Sequence, residues 1–274
     1  MFFAAKDLKA SRVNLIMNNF AAGLPSPLSF IGLGDVIARN LGDETLSWSV
    51  RVLPILHEVD VSIGRLKPEM QRTGSFFKPI EIFESMHGSV CVSVIFDIPG
   101  CDDELEVSKI LNGKRISGGP IWNKEVAVEK VLPDGSTFSK LKRGYAIVAP
   151  TETEMRVTSH GDHASLTRLA ETLYQREGGK GSGWMIPSAV GYKLIEDPKT
   201  APARSGVRDQ NIPHVFAEPL TGIAELVSIR NPRLRNATTE EFSELFWSWH
   251  NINNEIIGHP AYIKVPSNEG TPNV

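Results

Sequence analysis

Cysteine is almost missing: Cys91 and Cys101 are the only two in 274 residues. Two thiols cannot build a zinc framework by themselves. Cys91 alternates within an apolar run and Cys101 sits in an acidic turn, so no disulfide is expected and a reducing compartment is. Long apolar runs are missing too, and nothing approaches the ~18 residues that a membrane helix needs. The opening MFFAAKDLKA is too short an apolar run for a secretory signal. The expectation is a cytoplasmic chain with no membrane partner. An excess of one charge is also absent, because 29 Lys and Arg stand against 32 Asp and Glu, a net of −3. No global basic field advertises nucleic acid, so any polyanion site has to be local. No internal repeat, low-complexity block or interdomain linker interrupts the chain.

What is there is apolar content of 41%, enough for a real core. The stretch 12–41 organises the first part. Arg12–Met17 reads as a short strand, and Asn18 and Asn19 end it. Gly23-Leu24-Pro25-Ser26-Pro27 is a tight connection, since each proline fixes its own φ and restricts the residue before it. Ser26 or Ser29 can cap a helix starting near Leu28. Phe30, Leu33, Ile37 and Leu41 share one face of it. Gly32 and Gly34 inside that helix cost about 1 kcal/mol each against Ala, which close packing on a sheet would explain.

Further along, 48–63 reads as a strand interrupted by Pro54, which suggests a bulge or an edge. Residues 64–80 read as a mobile basic connection. Val90–Ile98 is the clearest strand, and Asp102-Asp103-Glu104 opens a short helix to about Leu111. Asp162 caps a helix whose apolar stripe runs through Leu166, Leu169, Ala170, Leu173 and Tyr174. Trp184–Ile195 is strand, 197–213 a long loop, and Val215–Arg230 strand again. Thr238-Thr239-Glu240-Glu241 is a capping box opening a last helix with Phe242, Leu245, Phe246 and Trp249 on one face. The fold class is α+β.

Charge is segmental. Residues 109–143 carry eight Lys and Arg against three acids, whereas 81–106 carry seven acids and no Lys or Arg. Pro133-Asp134-Gly135-Ser136 is a good turn between 125–132 and 137–148, so a basic hairpin is expected there. A solvated hairpin face explains that charge as readily as a polyanion site does.

Motifs for chemistry fail one by one. Gly178-Gly179-Lys180-Gly181 lacks the first glycine and the final Ser or Thr of a phosphate loop. Gly32 and Gly34 do not complete a dinucleotide fingerprint, because Ile37 stands where the third glycine belongs. His160-Gly161-Asp162-His163 is the only close histidine pair, without a cysteine partner or second acidic cluster for a metal. Ser182 is not in a nucleophile elbow. No cofactor, metal or catalytic residue is expected from these residues.

Several segments in order carry a likeness. GLPSPLSFIGLGDVIARNLG after a strand, Lys114-Arg115-Ile116-Ser117-Gly118-Gly119-Pro120-Ile121, and Lys142-Arg143-Gly144-Tyr145-Ala146-Ile147-Val148 come first. They are followed by Gly183-Trp184-Met185-Ile186-Pro187-Ser188-Ala189-Val190-Gly191-Tyr192, then Arg208-Asp209, Pro213, Phe216 and Glu218, and last Leu245-Phe246-Trp247. Together they resemble the Csy-two (Cas-five-like) subunit family of type I-F CRISPR Cascade complexes over about residues 12–250. The chain is short for the family, as a compact variant would be.

The resemblance implies a single RRM-like (ferredoxin-like) domain over 1–266. Its antiparallel sheet would have packed helices and a thumb hairpin at about 112–146, with 267–274 a disordered tail. It implies a non-catalytic subunit without cofactor, working in antiviral defence. That subunit holds the crRNA 5′ handle and caps one end of the backbone beside the large (Cas-eight-like) and backbone (Cas-seven-like) subunits, meeting target DNA through the complex. The RNA-binding residues it points to are Asn18, Asn19, Ser26, Ser29, Arg115, Gly118, Gly119, Trp122, Lys142, Arg143, Arg204 and Arg208. Single-stranded RNA is typically held by phosphate contacts and by bases stacked on aromatic planes, and Trp122 is either such a platform or a core residue. The competing reading is an RRM-like, metal-independent CRISPR RNA-processing endonuclease using His160 or His163. The lack of a glycine-rich loop near the C-terminus counts against it.

Overall fold

The computed structural model describes residues 1–17, 22–42, 48–62, 65–150, 156–157, 167, 170, 173, 183–204, 206–207 and 214–263. Its first strand, β1 (Phe2–Asn14), is longer and earlier than the pattern predicts. The reason is two bulges, between Ala5 and Leu8 and between Ala10 and Val13, each holding a residue at positive φ: Asp7 at 50° and Arg12 at 56°. Each inserted residue resets the pleat. The buried face therefore runs Phe3, Ala5, Leu8, Ala10, Val13, Leu15, a spacing that simple alternation cannot detect.

Helix α1 (Pro27–Asn40) follows, with Ser26 as N-cap accepting from the Leu28 N–H. It lies on the sheet as expected. A Cβ at Gly34 would stand 3.0 Å from Val50 Cγ1 and 3.1 Å from Val52 Cγ1, whereas one at Gly32 would meet nothing within 4 Å. Close packing therefore explains Gly34 and not Gly32.

β2 (Arg51–Val61) holds Pro54 within a run buried on both faces. Its bulge lies at His57, between Leu56 and Glu58, not at the proline. β3 (Arg65–Thr73) and β4 (Phe76–Ser85) then form an antiparallel hairpin, where a connection was expected. Gly74, at φ 63°, lies between them. β5 (His87–Asp97) and α2 (Glu104–Leu111), capped by Asp103, agree with the sequence reading.

The expected basic hairpin over 112–146 does not form. β6 (Arg115–Ile116) and β7 (Gly119–Pro120) make a minimal hairpin of their own. β8 (Ala127–Lys130) pairs with β1, while β9 (Tyr145–Val148) pairs with β2 and with a later strand. The Pro133–Ser136 turn does not reverse the chain into a hairpin: Asp134 caps a 3-10 turn, Gly135–Lys140, whose Phe138 is fully buried. Apolar demand from Phe138 and Val131 wins over local turn chemistry.

After β10 (Arg156–Val157) come β11 (Trp184–Leu194), β12 (Ala217–Ser228) and the short helices α3 (Pro232–Arg235) and α4 (Thr239–Ser243). β13 (His250–Ile252) and β14 (Glu255–Ile257) follow. The capping box at Thr238 is present, but α4 stops at Ser243, so the expected last helix is one short turn. Thr167, Ala170 and Leu173 are helical. The rest of that expected helix, His160 to His163, and the tail from 264 lie outside the described residues.

The main sheet runs β13-β14-β11-β12-β9-β2-β5-β1-β8, with β10 beside β12 and every recorded pairing antiparallel. One face of β1, β2 and β5 packs on α1 and α2. Part of the other, at Ala4, Leu53, Ile55 and Ile95, is covered by Phe138, Leu234, Phe242 and Phe246. Trp247 ties the second part of the chain to β2. Its backbone exchanges two 2.8 Å hydrogen bonds with Val52, and its Nε1 donates to the Ile147 carbonyl. Among the described residues no helix is long and apolar enough to cross a membrane.

Candidate nucleic-acid interface

The aromatic cover on the second sheet face stops short. Beyond it the strands present Asp7, Lys9, His57, Glu58, Cys91 and Ser93, and the segments around Trp122 and Lys142 border this open half. The His57 ring is buried in the floor. Its Nδ1 lies 2.8 Å from the Arg143 carbonyl and its Nε2 2.7 Å from Ser93 Oγ. A carbonyl can only accept, so Nδ1 carries a proton and donates to it, and Ser93 Oγ is the hydrogen-bond partner of Nε2. Ser93 Oγ accepts the Asp7 N–H as well. Both groups are out of solvent and fully bonded, which makes this a clamp rather than a nucleophile and base. Gly144 is required here, since a Cβ would stand 2.5 Å from the Leu56 carbonyl oxygen. The clamp thereby holds Lys142 and Arg143 against β2.

Cations and one aromatic ring gather above this floor. Trp122 is 58% exposed, with Lys9 Nζ 5.5 Å from its ring centroid. The backbone fixes that pairing: Trp122 N–H donates to the Lys9 carbonyl, Asn123 Oδ1 accepts the Lys9 N–H, and Asn123 Nδ2 donates to the Asp7 carbonyl. Lys142 pairs with Glu58; that hydrogen bond raises the lysine pKa and lowers the carboxylate's. The exposed Arg143 has no side-chain partner among the described residues. Burial, then the Asp7 charge, pushes the Cys91 thiol up, so it stays protonated.

The remaining expected residues go elsewhere. Ser26 caps α1 and its hydroxyl donates to the Ala189 carbonyl. Ser26 and Ser29 border a cleft of about 420 Å³ together with Asn14, Ser117, Tyr192 and Trp249. Arg115 donates to the Gly118 carbonyl at 2.9 Å, beside Asn14 rather than beside Lys142. Gly118 and Gly119 each meet a demand of the fold. Gly118 sits at φ 82°, and a Cβ on Gly119 would stand 2.5 Å from the Ser11 carbonyl oxygen. Arg204 is held by Glu196, at 2.6 Å to both carboxylate oxygens, with its guanidinium 4.0 Å over the Phe216 ring. Asn18, Asn19 and Arg208 lie outside the described residues.

Sequence reading missed Lys9 and His57. Lys9 is hidden by the bulged strand, and no linear spacing links it to Trp122. Among the described residues no group of three His, Cys, Asp or Glu side chains could hold a metal ion.

The second part of the sheet matches a family model. Residues 145–256, from β9 through β14, carry the pattern of a CRISPR-associated protein. The family is Cas_Csy2, and the match covers 112 of the 274 residues, so this part of the chain is similar to that family of CRISPR-associated proteins. Proteins of that family are CRISPR-associated Cascade subunits. Comparison with curated proteins gave no match.

Proposed function

We propose that this chain is the non-catalytic, RNA-holding subunit of its complex, gripping the 5′ handle of the guide RNA beside a large and a backbone subunit in the cytoplasm. The observation that carries this is the open half of the sheet face, where exposed Trp122, Lys9, Lys142 and Arg143 converge on a neutral chain. A ring face for bases beside cations for phosphate is the chemistry that holds single-stranded RNA. The order β2-β5-β1-β8, with α1 joining β1 to β2 and α2 lying between β5 and β8, supports an RRM-like platform for this surface. The β3–β4 hairpin takes the place of the thumb in this reading.

The handle RNA should dissociate steeply with salt when the guide complex is assembled from its partners. Lys142→Gln and Arg143→Gln should each flatten the log–log slope by about 0.7. Unchanged slopes and affinity in both variants would refute the assignment. Incubating the purified chain with repeat RNA in EDTA separates the nuclease reading, which requires a discrete cut.

A further inference from the structure

We propose that Trp48, Trp249 and Tyr192 form a second base-stacking station, where one nucleobase of the bound single-stranded RNA leaves its neighbours and lies on the ring ladder beside the α1 cleft. It rests on the RNA-holding reading above, at a site separate from the Trp122 surface. The three rings form a row, Trp48 to Trp249 and Trp249 to Tyr192, each pair with centroids 6.3 Å apart. Its two ends are open: Trp48 is 45% exposed and Tyr192 39%. Apolar rings with nothing to bury their faces are out of place on a solvated surface, and a planar base has the shape to cover one. Trp48 is also held at φ 73°, a conformation a bulky residue rarely adopts.

The middle ring is anchored. Trp249 Nε1 donates to Asp35 Oδ2 at 2.8 Å. Asp35 Oδ1 is the one buried side-chain oxygen without a partner among the described residues. The adjoining cleft carries no charged side chain but does carry hydroxyls. Ser29 and Tyr192 make no side-chain hydrogen bond among the described residues, and burial raises the Tyr192 pKa, so its phenol stays a donor. A neutral, hydrogen-bonding cleft suits a base rather than a phosphate. The phosphate of the same nucleotide has Arg115 available, on the small hairpin whose Ser117 lines the cleft and with one guanidinium nitrogen already anchored to Gly118.

The test is photo-crosslinking of the complex purified with a guide RNA containing 4-thiouridine, with the linked peptides mapped. Crosslinks on peptides bearing Trp48, Tyr192 or Trp249 are expected. Crosslinks confined to the Trp122 region would overturn this proposal while supporting the handle surface, and no crosslink to this chain at all would sink both. Trp48→Ala should weaken RNA binding about 5- to 100-fold, as loss of one stacked base does, without changing the salt slope. Trp48→Tyr should restore most of it. Full affinity in Trp48→Ala overturns the proposal, as does burial of Trp48 by a partner subunit in an RNA-free assembly. Should Trp48→Ala fail to fold, the wild-type crosslinks decide alone.

Discussion

The two halves of one sheet face are built from the same three strands and could hardly be more different. At one end Leu53, Ile55 and Ile95 lie under Phe138, Phe242 and Phe246. A few residues along, His57, Ser93 and Lys9 replace them, and among the described residues the aromatic cover does not extend over this end. The change coincides with the bulges at Asp7 and His57. A bulge adds a residue and re-aims the strand, so polar side chains reach the second face without disturbing the helix-covered first face. Closed surface therefore holds the fold, and the open surface is the one the proposed RNA contact would use.

That division can be broken hardest at the closed end. Phe242 is fully buried; it meets Phe2 and Phe246 edge-on, at 5.8 and 5.3 Å, and the tilted ring of Phe138 at 5.6 Å. Phe242→Ala should cost about 3–5 kcal/mol in urea unfolding. A loss below about 1 kcal/mol would mean that the cover is loose and the division false. Next in size is Gly119→Val, which drives a side chain into the β1 backbone and should cost at least the ~1–3 kcal/mol of ordinary overpacking. Gly118→Ala, facing open space at positive φ, should cost about 1–2 kcal/mol, with no steric clash added to it. Equal melting of the two variants would remove the distinction between them.

How much of this was legible in the sequence depends on where bulges fall. Val90–Ile98 and α1 could be read because each keeps one period from end to end. β1 could not, since Asp7 and Arg12 break its alternation twice. The 112–146 hairpin was misread because a good turn, Pro133–Ser136, says nothing about which strands its neighbours will join. The candidate site suffered the same way: Trp122 and Lys142 were visible as residue types, but their meeting at Lys9 depends on pairing between β1, β5 and β2. Ser26 is one of the two caps that the sequence offers, and its second bond, to Ala189, has no sequence signal at all.

The clamp under the open half should sharpen the comparison. Ser93→Ala leaves the Asp7 N–H and His57 Nε2 buried without their partner. It should cost about 1–3 kcal/mol and loosen Lys142 and Arg143, measured as a lower melting temperature with weaker RNA binding. Unaltered RNA affinity in a destabilised variant would detach the clamp from the surface. Acid should act elsewhere, at His259. Its Nε2 donates to the Glu244 carbonyl and its Nδ1 accepts the Ala261 N–H. Burial lowers its pKa below the ordinary 6.5. The unfolded chain then binds the proton more readily, so stability is full above about pH 6.5 and falls as pH drops below it. His259→Gln should flatten that fall in unfolding measured from pH 7.5 to 5, and an identical slope would acquit this histidine.

The smallest expected effect on stability belongs to the residues expected to matter most for binding. Arg143 is exposed and has no side-chain partner among the described residues, and Lys142 bonds Glu58 directly but at an exposed site, where an ion pair is worth about 0–1 kcal/mol. Arg143→Gln should therefore leave urea unfolding unchanged within about 0.5 kcal/mol, and Lys142→Gln nearly so. Removing Lys142 also frees Glu58, which places an unpaired carboxylate beside the bound phosphates. Lys142→Gln should consequently weaken RNA binding more than Arg143→Gln does, and the double variant Lys142→Gln, Glu58→Gln should recover part of the loss. The comparison to make is affinity of the assembled complex at two salt concentrations for all three variants. If the double variant binds no better than Lys142→Gln alone, Glu58 lies away from the RNA path. The strand would then run along the Trp122 side of the open face.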